Sequence, residues 1–495
     1  MKKFYSIKKA GVLAILLAAL TLSTGAAAAG RLNSPELGRT KFVLPQEDRE
    51  EHDFVEWRDV TVSEVGQLEE IIKDDLYEID SLVVRGPVNA DDFTTMWKGT
   101  FYGRLSAINL KNAEVADGEV PYRAFFKGSM QVDPDADYIS VCRLRNIILP
   151  EGVTRICEDA FEYAVNLQSI ELPSTLRAID EVAFYSCINL DLNPCILPDS
   201  LLTIGDKAFF GCKKISEVVL PHGLRKIGEW AFNGTMLSSV SFPDRSDSAD
   251  SAPLEIGSDA FSGTFIEEVI ITVPCTFSGE RQFCGCNSLR RATLPEGLEV
   301  IPNEIFGYNH ELEEVNIPST VRTIGNGAFA STGIVIPTLP EGLERIGNGA
   351  FSRTQFAKTL TIPSSVKELG DDCFAADGRP SAIYCMSAVP PVCGPRGSAK
   401  SPFGPVSNSD THALSDVPLH VPVGCGDAYR EADGWYTFRN IIEDPDIPVS
   451  GIIGVTAGSA ADSDAAVYDL TGRKIAVPAE GQLYIKGGRK YVHRE

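Results

Sequence analysis

The chain has 495 residues, of which 43% are hydrophobic and 23% charged, and its formal net charge is -23 at pH 7. This balance is that of a globular protein and excludes wholesale disorder. The excess of acidic residues disfavours a nucleic-acid partner, because binding phosphate backbones needs clustered Lys and Arg.

The first 29 residues have the pattern of a secretory signal. Four lysines are followed by an apolar run over residues 10–22 and by the small residues Ala26, Ala27, Ala28 and Ala29. The run is shorter than the roughly 20 residues of a membrane-spanning helix, which makes a span the less favoured alternative. We therefore predict that residues 1–29 are a signal peptide, that the protein is exported, and that the mature chain has no transmembrane span.

Residues 30–143 are predicted to form an N-terminal cap. Two segments, 79–84 and 105–110, have the pattern apolar-x-x-apolar-x-apolar and are interpreted as degenerate copies of a repeat that follows them. Before them, residues 63–75 place Val65, Leu68, Ile71 and Ile72 at helical spacing. We expect this helix to cover the exposed end of the repeats, as terminal repeats require for solubility.

A motif of about 23 residues is repeated through residues 144–380. Its template, L-x-x-I-x-L-P-x-x-L-x-x-I-G-x-x-A-F, is seen clearly in residues 167–184 and 312–329. Ten copies can be aligned, and each closes on a phenylalanine: Phe161, Phe184, Phe209, Phe232, Phe261, Phe283, Phe306, Phe329, Phe351 and Phe374.

Each part of the template predicts a piece of local structure. The alternating apolar residues predict a half-buried strand, and Pro ends it because Pro cannot donate to a ladder. The later Leu, Ile and Ala-Phe predict a second buried stripe, with a short helical turn and a tight turn at Gly. One unit cannot bury its own apolar face, whereas stacked units can. The sequence therefore predicts an α/β solenoid with a parallel sheet on one face.

The repeat resembles the BspA-type leucine-rich repeat family of bacterial surface proteins, on the strings of residues 317–329 and 339–351. The predicted fold is a leucine-rich repeat solenoid of about ten regular coils plus two degenerate N-terminal coils. The resemblance implies a non-enzymatic protein that adheres to host matrix proteins or to other cells.

Three further segments follow the repeats. Residues 381–445, with strand candidates at 383–385 and 419–421 and an aromatic group at Tyr429, Trp435, Tyr436 and Phe438, are predicted to cap the other end. Residues 446–466 are predicted to be a linker. Residues 467–495 carry two strand-like runs and a net positive charge, and resemble a C-terminal sorting signal of exported Bacteroidetes proteins. A small hairpin that only finishes the fold is the open alternative.

The twelve cysteines favour buried free thiols over disulfides. Cys187, Cys212 and Cys286 lie three residues after a repeat Phe, where other copies have small or polar residues, so Cys acts there as a small apolar residue. Cys284 and Cys286 lack the second pair that zinc needs, and no metal site is predicted. A disulfide is more plausible among Cys385, Cys393 and Cys425, with its pairing open.

No catalytic motif is present, and neither an enzyme nor a cofactor is predicted. Asp133, Asp135 and Asp137 begin like a calcium loop, but Tyr138 and Leu144 replace the Gly and Glu that such a loop requires. A hydrolase remains the least favoured alternative. It would need His412, His420 and Asp427 to converge with a nucleophile.

The outward face of the strands is the candidate binding surface. One position before the last apolar residue of each strand forms a column, which we call the strand-face column: Ile148, Glu171, Ile196, Val219, Ser241, Thr272, Thr293, Asn316, Thr338 and Thr361. Solenoids use such faces for partners, although half-buried sheets favour β-branched residues in any case. The hypothesis is a cell-surface protein that binds a protein or glycan macromolecule. A glycan-capture scaffold is the second alternative, and the column's lack of aromatic residues argues against it.

Overall fold

The computed structural model describes residues 57–126, 142–242, 252–393, 401–404 and 414–447, together with the backbones of four strands between residues 467 and 492. The predicted signal peptide, most of the predicted linker, the acidic triplet at residues 133–137 and His412 lie outside these residues.

The described helices are α1 (Leu68–Ile72), α2 (Ala90–Tyr102) and α3 (Gly426–Glu431), with a 3-10 turn at Leu414–Asp416. Most of the regular structure consists of short strands. They are, in chain order, β1 (Trp57–Thr61), β2 (Ser81–Val88), β3 (Ala107–Val115), β4 (Glu119–Val120), β5 (Asn146–Ile148), β6 (Arg155–Ile156), β7 (Ser169–Glu171), β8 (Ala178–Ile179), β9 (Cys195–Ile196), β10 (Thr203–Ile204), β11 (Glu217–Val219), β12 (Lys226–Ile227), β13 (Ser239–Ser241), β14 (Leu254–Ile256), β15 (Glu268–Ile270), β16 (Cys275–Phe277), β17 (Arg291–Thr293), β18 (Val300–Ile301), β19 (Glu314–Val315), β20 (Thr323–Ile324), β21 (Arg345–Ile346), β22 (Thr359–Ile362), β23 (Glu368–Leu369), β24 (Ala382–Cys385), β25 (Leu419–Pro422), β26 (Ile441–Asp444), β27 (Val467–Tyr468), β28 (Lys474–Ile475), β29 (Leu483–Lys486) and β30 (Arg489–Val492).

The repeats form a parallel β-solenoid of about 15 turns with little helix, as the template predicted. A typical turn contributes one strand to each of two ladders, and every strand pair in them is parallel. The first ladder runs through β1-β2-β3-β5-β7, β9-β11-β13, β15-β17-β19 and β22-β24-β25-β26. The second ladder runs through β4-β6-β8-β10-β12-β14-β16 and β18-β20-β21-β23.

The second ladder corrects one local prediction. The return path was expected to make a short helical turn, but the segment with the second buried Ile pairs instead with its neighbours as a strand, for example Ile204 with Ile179 and Ile227. Only isolated turns with i to i+3 hydrogen bonds follow it, such as Ala208 N to Gly205 O at 3.3 Å. This segment forms a short strand and not a helical turn because the same segment of each neighbouring turn offers its backbone a hydrogen-bonding partner in register.

The repeat phenylalanines form one continuous internal row. Phe184 and Phe329, from copies far apart in the chain, both have no exposed surface and lie in the same row. Neighbouring rings are stacked, with centroids from 5.1 Å apart at Phe161–Phe184 to 6.0 Å apart at Phe306–Phe329. The row extends past the template in both directions, to Phe125 at one end and Phe403 at the other. The predicted shielding of each coil by the next is therefore confirmed.

The turn before Ala-Phe uses Gly only in some copies. The residue directly before Ala has the positive φ angle expected of a tight turn, and it is Gly327 (59°) or Gly349 (60°) in two copies but Lys207 (53°) or Trp230 (58°) in others. The Gly that follows the template Ile has a different role. A Cβ on Gly228 would lie 2.4 Å from the backbone N of Asp206 in the preceding coil. Gly is required here because two backbones approach closely, which any side chain would prevent.

The column three residues after each Phe is a hydrogen-bonding ladder. The thiols of Cys187 and Cys212 donate to the carbonyl oxygens of Phe161 and Phe184 in the preceding coil, both at 3.1 Å. Thr235, at the same position, donates instead to Phe232 O of its own coil at 2.8 Å. The sequence predicted a small packing residue, and the structure adds that the residue satisfies a buried carbonyl.

The N-terminal lead-in differs from the predicted single helix over residues 63–75. Only Leu68–Ile72 are helical there, and Val65 (46% exposed) and Ile71 (38% exposed) face solvent. The longer helix α2 was not predicted. Asn89 and Asp92 begin it with a capping box, and the buried Asp92 carboxylate also accepts hydrogen bonds from the backbone N–H groups of Gly66 and Leu68. Asp92 thereby ties the two helices together.

The C-terminal module is built around the expected aromatic group. Tyr429 and Trp435 have no exposed surface and Phe438 is 5% exposed. Tyr436, at 39% exposed, does not belong to this buried aromatic group. Phe403 joins the group to the Phe row through edge contacts with Trp435 and Phe438.

The last strands form a separate antiparallel sheet. The order is β28-β27-β29-β30, so the tail has four strands where two were expected. No helix among the described residues combines the length and the apolar character needed to cross a membrane.

Candidate functional site

The strand-face column lies at the end of the strands of the first ladder. Register places Ile148 beside Glu171, and Val219 between Ile196 and Ser241. Ile196 is 69% exposed and Val219 is 42% exposed, while Ile148 is half-buried. The paired strands therefore fix Ile196 and Val219 side by side with their apolar side chains exposed to solvent.

Register replaces one predicted member of the column. Thr272 was assigned by counting back from the last apolar residue, but strand β15 ends at Ile270, which pairs with Thr293. Thr272 is exposed but lies two residues beyond the ladder. The correct member is Ile270, which is 47% exposed and adds a third apolar side chain to the face.

Asn316 belongs to the column but its side chain is engaged within the fold. Its Nδ2 donates to the carbonyl oxygen of Leu294 at 3.0 Å, and its Oδ1 accepts from the backbone N of Leu294 at 2.7 Å. Strand β19 stops at Val315, so the amide side chain supplies the pairing that the backbone no longer makes. This residue is a structural element of the ladder.

Thr338 lies where the first ladder is interrupted. No strand of this ladder is described between β19 and β22, and an isolated bridge joins Val335 to Gln355 instead. Pro337 precedes Thr338 and has no N–H to donate, which explains the break. Thr338 is nevertheless exposed, as are Thr293 and Thr361.

The column continues beyond the regular template in both directions. Asn109 pairs with Ile148 at one end, and Thr361 pairs with Tyr384 and Tyr384 with His420 at the other. The rings of Tyr384 and His420 are stacked with centroids 4.5 Å apart. The strands of Asn109 and Tyr384 lack the Pro that locates a copy, whereas His420 lies two residues before Pro422, a signal that could have placed it in the column.

A neighbouring column of the same strands carries charge. The guanidinium Nε of Arg291 donates to Oε1 of Glu268 at 2.9 Å across adjacent coils, and both side chains are largely exposed. The pair neutralises part of the face beside Ile270 and Thr293. The strand face in this region therefore offers apolar and hydroxyl groups flanked by a compensated ion pair.

The residues of the hydrolase alternative have other partners. His420 Nδ1 lies 2.8 Å from Asp444 Oδ2, and Asp427 pairs with Arg430 at 2.7 Å. The pKa of Asp444 is lowered by hydrogen bonds from the backbone of Asp446 and from His420. Among the described residues, no three His, Cys, Asp or Glu side chains are grouped so that they could hold a metal ion.

The thiols are unsuited to nucleophilic work. All twelve cysteines lie within the described residues and all are free, including Cys385, Cys393 and Cys425 of the C-terminal module. Burial raises the pKa of Cys195 and of Cys393 to about 12, which keeps both thiols protonated at neutral pH.

Comparison with known families gives one match. The family described as BspA type leucine rich repeat region matches residues 136–252 and 254–378, in six copies. No curated protein matches the chain.

Solved structures give several matches of low identity. A leucine-rich repeat protein from Bacteroides ovatus is 22% identical, with 62% of this chain and 70% of that chain covered and a TM-score of 0.41. A leucine rich cell surface protein from Faecalibacterium prausnitzii is 21% identical, with coverages of 57% and 77% and a TM-score of 0.30. The pneumococcal vaccine antigen PcpA is 16% identical, with coverages of 74% and 79% and a TM-score of 0.35. With its repeat template, its two parallel ladders and the family match, this chain is a leucine-rich repeat protein of the BspA type.

Proposed function

We propose that the protein is a non-enzymatic, exported cell-surface protein that binds macromolecules through the strand-face column, in adhesion to host matrix or to other cells. The observation that carries the proposal is the exposed apolar group of Ile196, Val219 and Ile270, held on the first ladder. A partner that covers these side chains removes apolar surface from water, which stabilises the complex by about 25 cal/mol for each Å² covered.

The rigidity of the ladder supports the same proposal. Backbone pairing fixes Ile196 and Val219 on neighbouring strands, so little conformational freedom is lost when a partner docks. The column runs over successive paired coils along one face, and such a long, repetitive surface suits a macromolecule rather than a small ligand because it presents many contacts in a row. The C-terminal sheet is proposed to act as the sorting signal that brings the chain to the surface.

The test replaces apolar column residues by charged ones. A chain lacking residues 1–29 is probed on an array of matrix proteins and glycans, and its hits are measured again with the double variant Ile196→Glu, Val219→Glu. We expect binding to be lost while the circular dichroism spectrum and melting temperature are retained. The matched control is Val300→Glu, which changes an exposed valine (53%) on the second ladder. Binding that survives the double variant would show that the column is inert.

Glycan capture is the second candidate, and one residue favours it. The column was expected to lack aromatic residues, but its extension contains Tyr384, stacked on His420. If the array returns only glycans, and Tyr384→Ala removes them while the Ile196 and Val219 variant does not, the glycan scaffold replaces the adhesion proposal.

A further inference from the structure

A second row of aromatic rings lies outside the buried Phe row, in the turns that follow the second ladder. We call it the turn-edge strip and define it as Tyr163, Tyr185, Phe210 and Trp230. Consecutive centroids are 5.3, 4.9 and 6.1 Å apart, and the rings of Tyr185 and Phe210 are parallel within 4°. Tyr163 is 40% exposed and the other three are half-buried. The strip therefore crosses four successive coils at the surface.

The template does not require these rings. At the turn position of Tyr185 and Phe210, later coils carry Ser262, Ala330 and Ser352, and the solenoid continues unchanged. The interior is filled by the Phe row, in which Phe184, Phe209 and Phe232 have no exposed surface. Packing alone thus leaves this line of surface aromatics unexplained.

Carboxylates border the strip in the same turns, and Lys207 adds one ammonium among them. Asp206 is partly engaged, since its Oδ1 accepts from the backbone N of Glu229, and Glu229 in turn accepts from the indole Nε1 of Trp230 at 2.9 Å. The acids outnumber the cations even when Arg123 is counted against its partner Asp159 and Glu162 is left out because burial raises its pKa to about 7, so the net charge around the strip is negative. The bordering acids are Glu158, Glu162, Glu181, Asp206 and Glu229.

The protein contains one example of what such a surface binds. In the coil before Tyr163, the guanidinium carbon of Arg123 lies 4.7 Å from the ring centroids of both Tyr122 and Phe126. Its Nε donates to the carboxylate of Asp159 at 3.0 Å. A cation is thus held between aromatic rings and an acid, at the start of the same line of turns.

We propose that the turn-edge strip binds a basic polypeptide segment of a partner, whose Arg and Lys side chains lie on the rings and pair with the bordering carboxylates. The proposal rests on a surface different from the strand-face column and does not depend on it. Charge favours this ligand over a glycan: Arg and Lys side chains form ion pairs with the bordering carboxylates, a neutral sugar can offer them only hydroxyl hydrogen bonds, and an anionic sugar is repelled by them. A glycan at the strip is therefore an outcome of the test and not the proposal.

The test uses the full chain and two synthetic peptides, one alternating Arg with Gly and one alternating Glu with Gly, each carrying a fluorescent label. Fluorescence anisotropy at low and high salt measures binding to the unaltered chain and to the double variant Tyr185→Ser, Phe210→Ser. Serine occupies this turn position in other coils, so the variant should fold, as its melting curve will show. The matched control is Tyr308→Ser, an exposed tyrosine (51%) in a turn outside the strip, at a position where the next coil has Ser331.

We expect the Arg peptide to bind in a salt-sensitive way and to lose about tenfold in affinity in the double variant but not in the control. The Glu peptide should not bind. A second variant, Glu181→Gln with Glu229→Gln, leaves the rings in place and should weaken the Arg peptide severalfold. The proposal is overturned if the Arg peptide binds the strip variants and the control equally, or does not bind at all. It is also overturned if neutral oligosaccharides, and not the peptide, depend on Tyr185 and Phe210.

Discussion

Removing one ring from the middle of the buried Phe row should destabilise the coils around it and leave distant coils unchanged. Phe232 is the most informative position. It has no exposed surface, and its ring is stacked between Phe209 at 5.3 Å and Phe261 at 5.4 Å. The substitution Phe232→Ala therefore removes a fully buried side chain and two ring pairs at once.

The expected loss is about 4 kcal/mol of unfolding free energy, since large-to-small changes at buried Phe cost about 3 to 5 kcal/mol. The two ring pairs account for about 1 to 3 kcal/mol of it. A loss of this size is a large part of the stability of an ordinary domain. Because each turn contacts only its neighbours, the effect should be local.

Amide hydrogen exchange read by mass spectrometry measures both the size and the range of the effect. We expect protection to fall in the coils of Phe209, Phe232 and Phe261 and to be retained around Phe351. The control is Phe210→Ala, which removes the same residue type from the surface beside the row. Phe210 is half-buried and has one parallel partner, Tyr185 at 4.9 Å, so its loss should cost only about 1 to 2 kcal/mol.

Two results would refute this reasoning. If Phe232→Ala and Phe210→Ala lower stability equally, the internal row does not hold the coils together. If Phe232→Ala removes protection uniformly along the chain, the solenoid unfolds as one unit and the nearest-neighbour argument fails.

Three further changes test single features. Gly228→Ala should lower the free energy of unfolding by about 2 kcal/mol, because the new Cβ would lie 2.4 Å from the backbone N of Asp206. Urea unfolding measures this loss, and an unchanged midpoint would mean that the two coils can move apart to admit a side chain. Asn316→Ala should lower the free energy of unfolding by about 1 to 3 kcal/mol and expose the amide of Leu294 to exchange, since the amide side chain makes two hydrogen bonds to that residue; unaltered protection of this amide would contradict the assignment. Burial and the nearby Asp159 raise the pKa of Glu162 to about 7. Ionising this carboxyl therefore lowers the free energy of unfolding, and the loss is absent below the unfolded-state pKa of 4.5 and complete above about pH 7. Glu162→Gln should therefore raise the melting temperature more at pH 8 than at pH 4, and an equal shift at both would show that this carboxyl titrates normally.

The apolar template was sufficient to predict the coil, the parallel pairing and the internal row of phenylalanines. Burial demands a fixed spacing of Leu, Ile and Phe, and a period repeated ten times has few other ways to satisfy it. The capping aromatics Trp435 and Phe438 could be predicted for the same reason, since the last coil leaves an apolar edge that must be covered.

Positions that burial does not constrain were predicted less well. Counting apolar residues placed Thr272 in the strand-face column, whereas the ladder places Ile270 there, because only backbone pairing sets register where the template is distorted. Asn316 looked like a surface residue, since no sequence pattern reveals a side chain that replaces a missing strand pair. Helix α2 was not predicted, although Phe93, Met96, Trp97 and Phe101 have helical spacing and Asn89 and Asp92 form a capping box before them.

The amino-acid sequence by itself determined which residues are inside: the repeated apolar positions leave a stacked coil as the arrangement that buries them all. Only the tertiary structure decided what lies side by side on the outside. Ile196 and Val219, or Tyr185 and Phe210, are more than 20 residues apart in the chain and become neighbours solely through the register of adjacent turns. Surface positions carry no periodic constraint, so their grouping can be seen only once the coils are stacked.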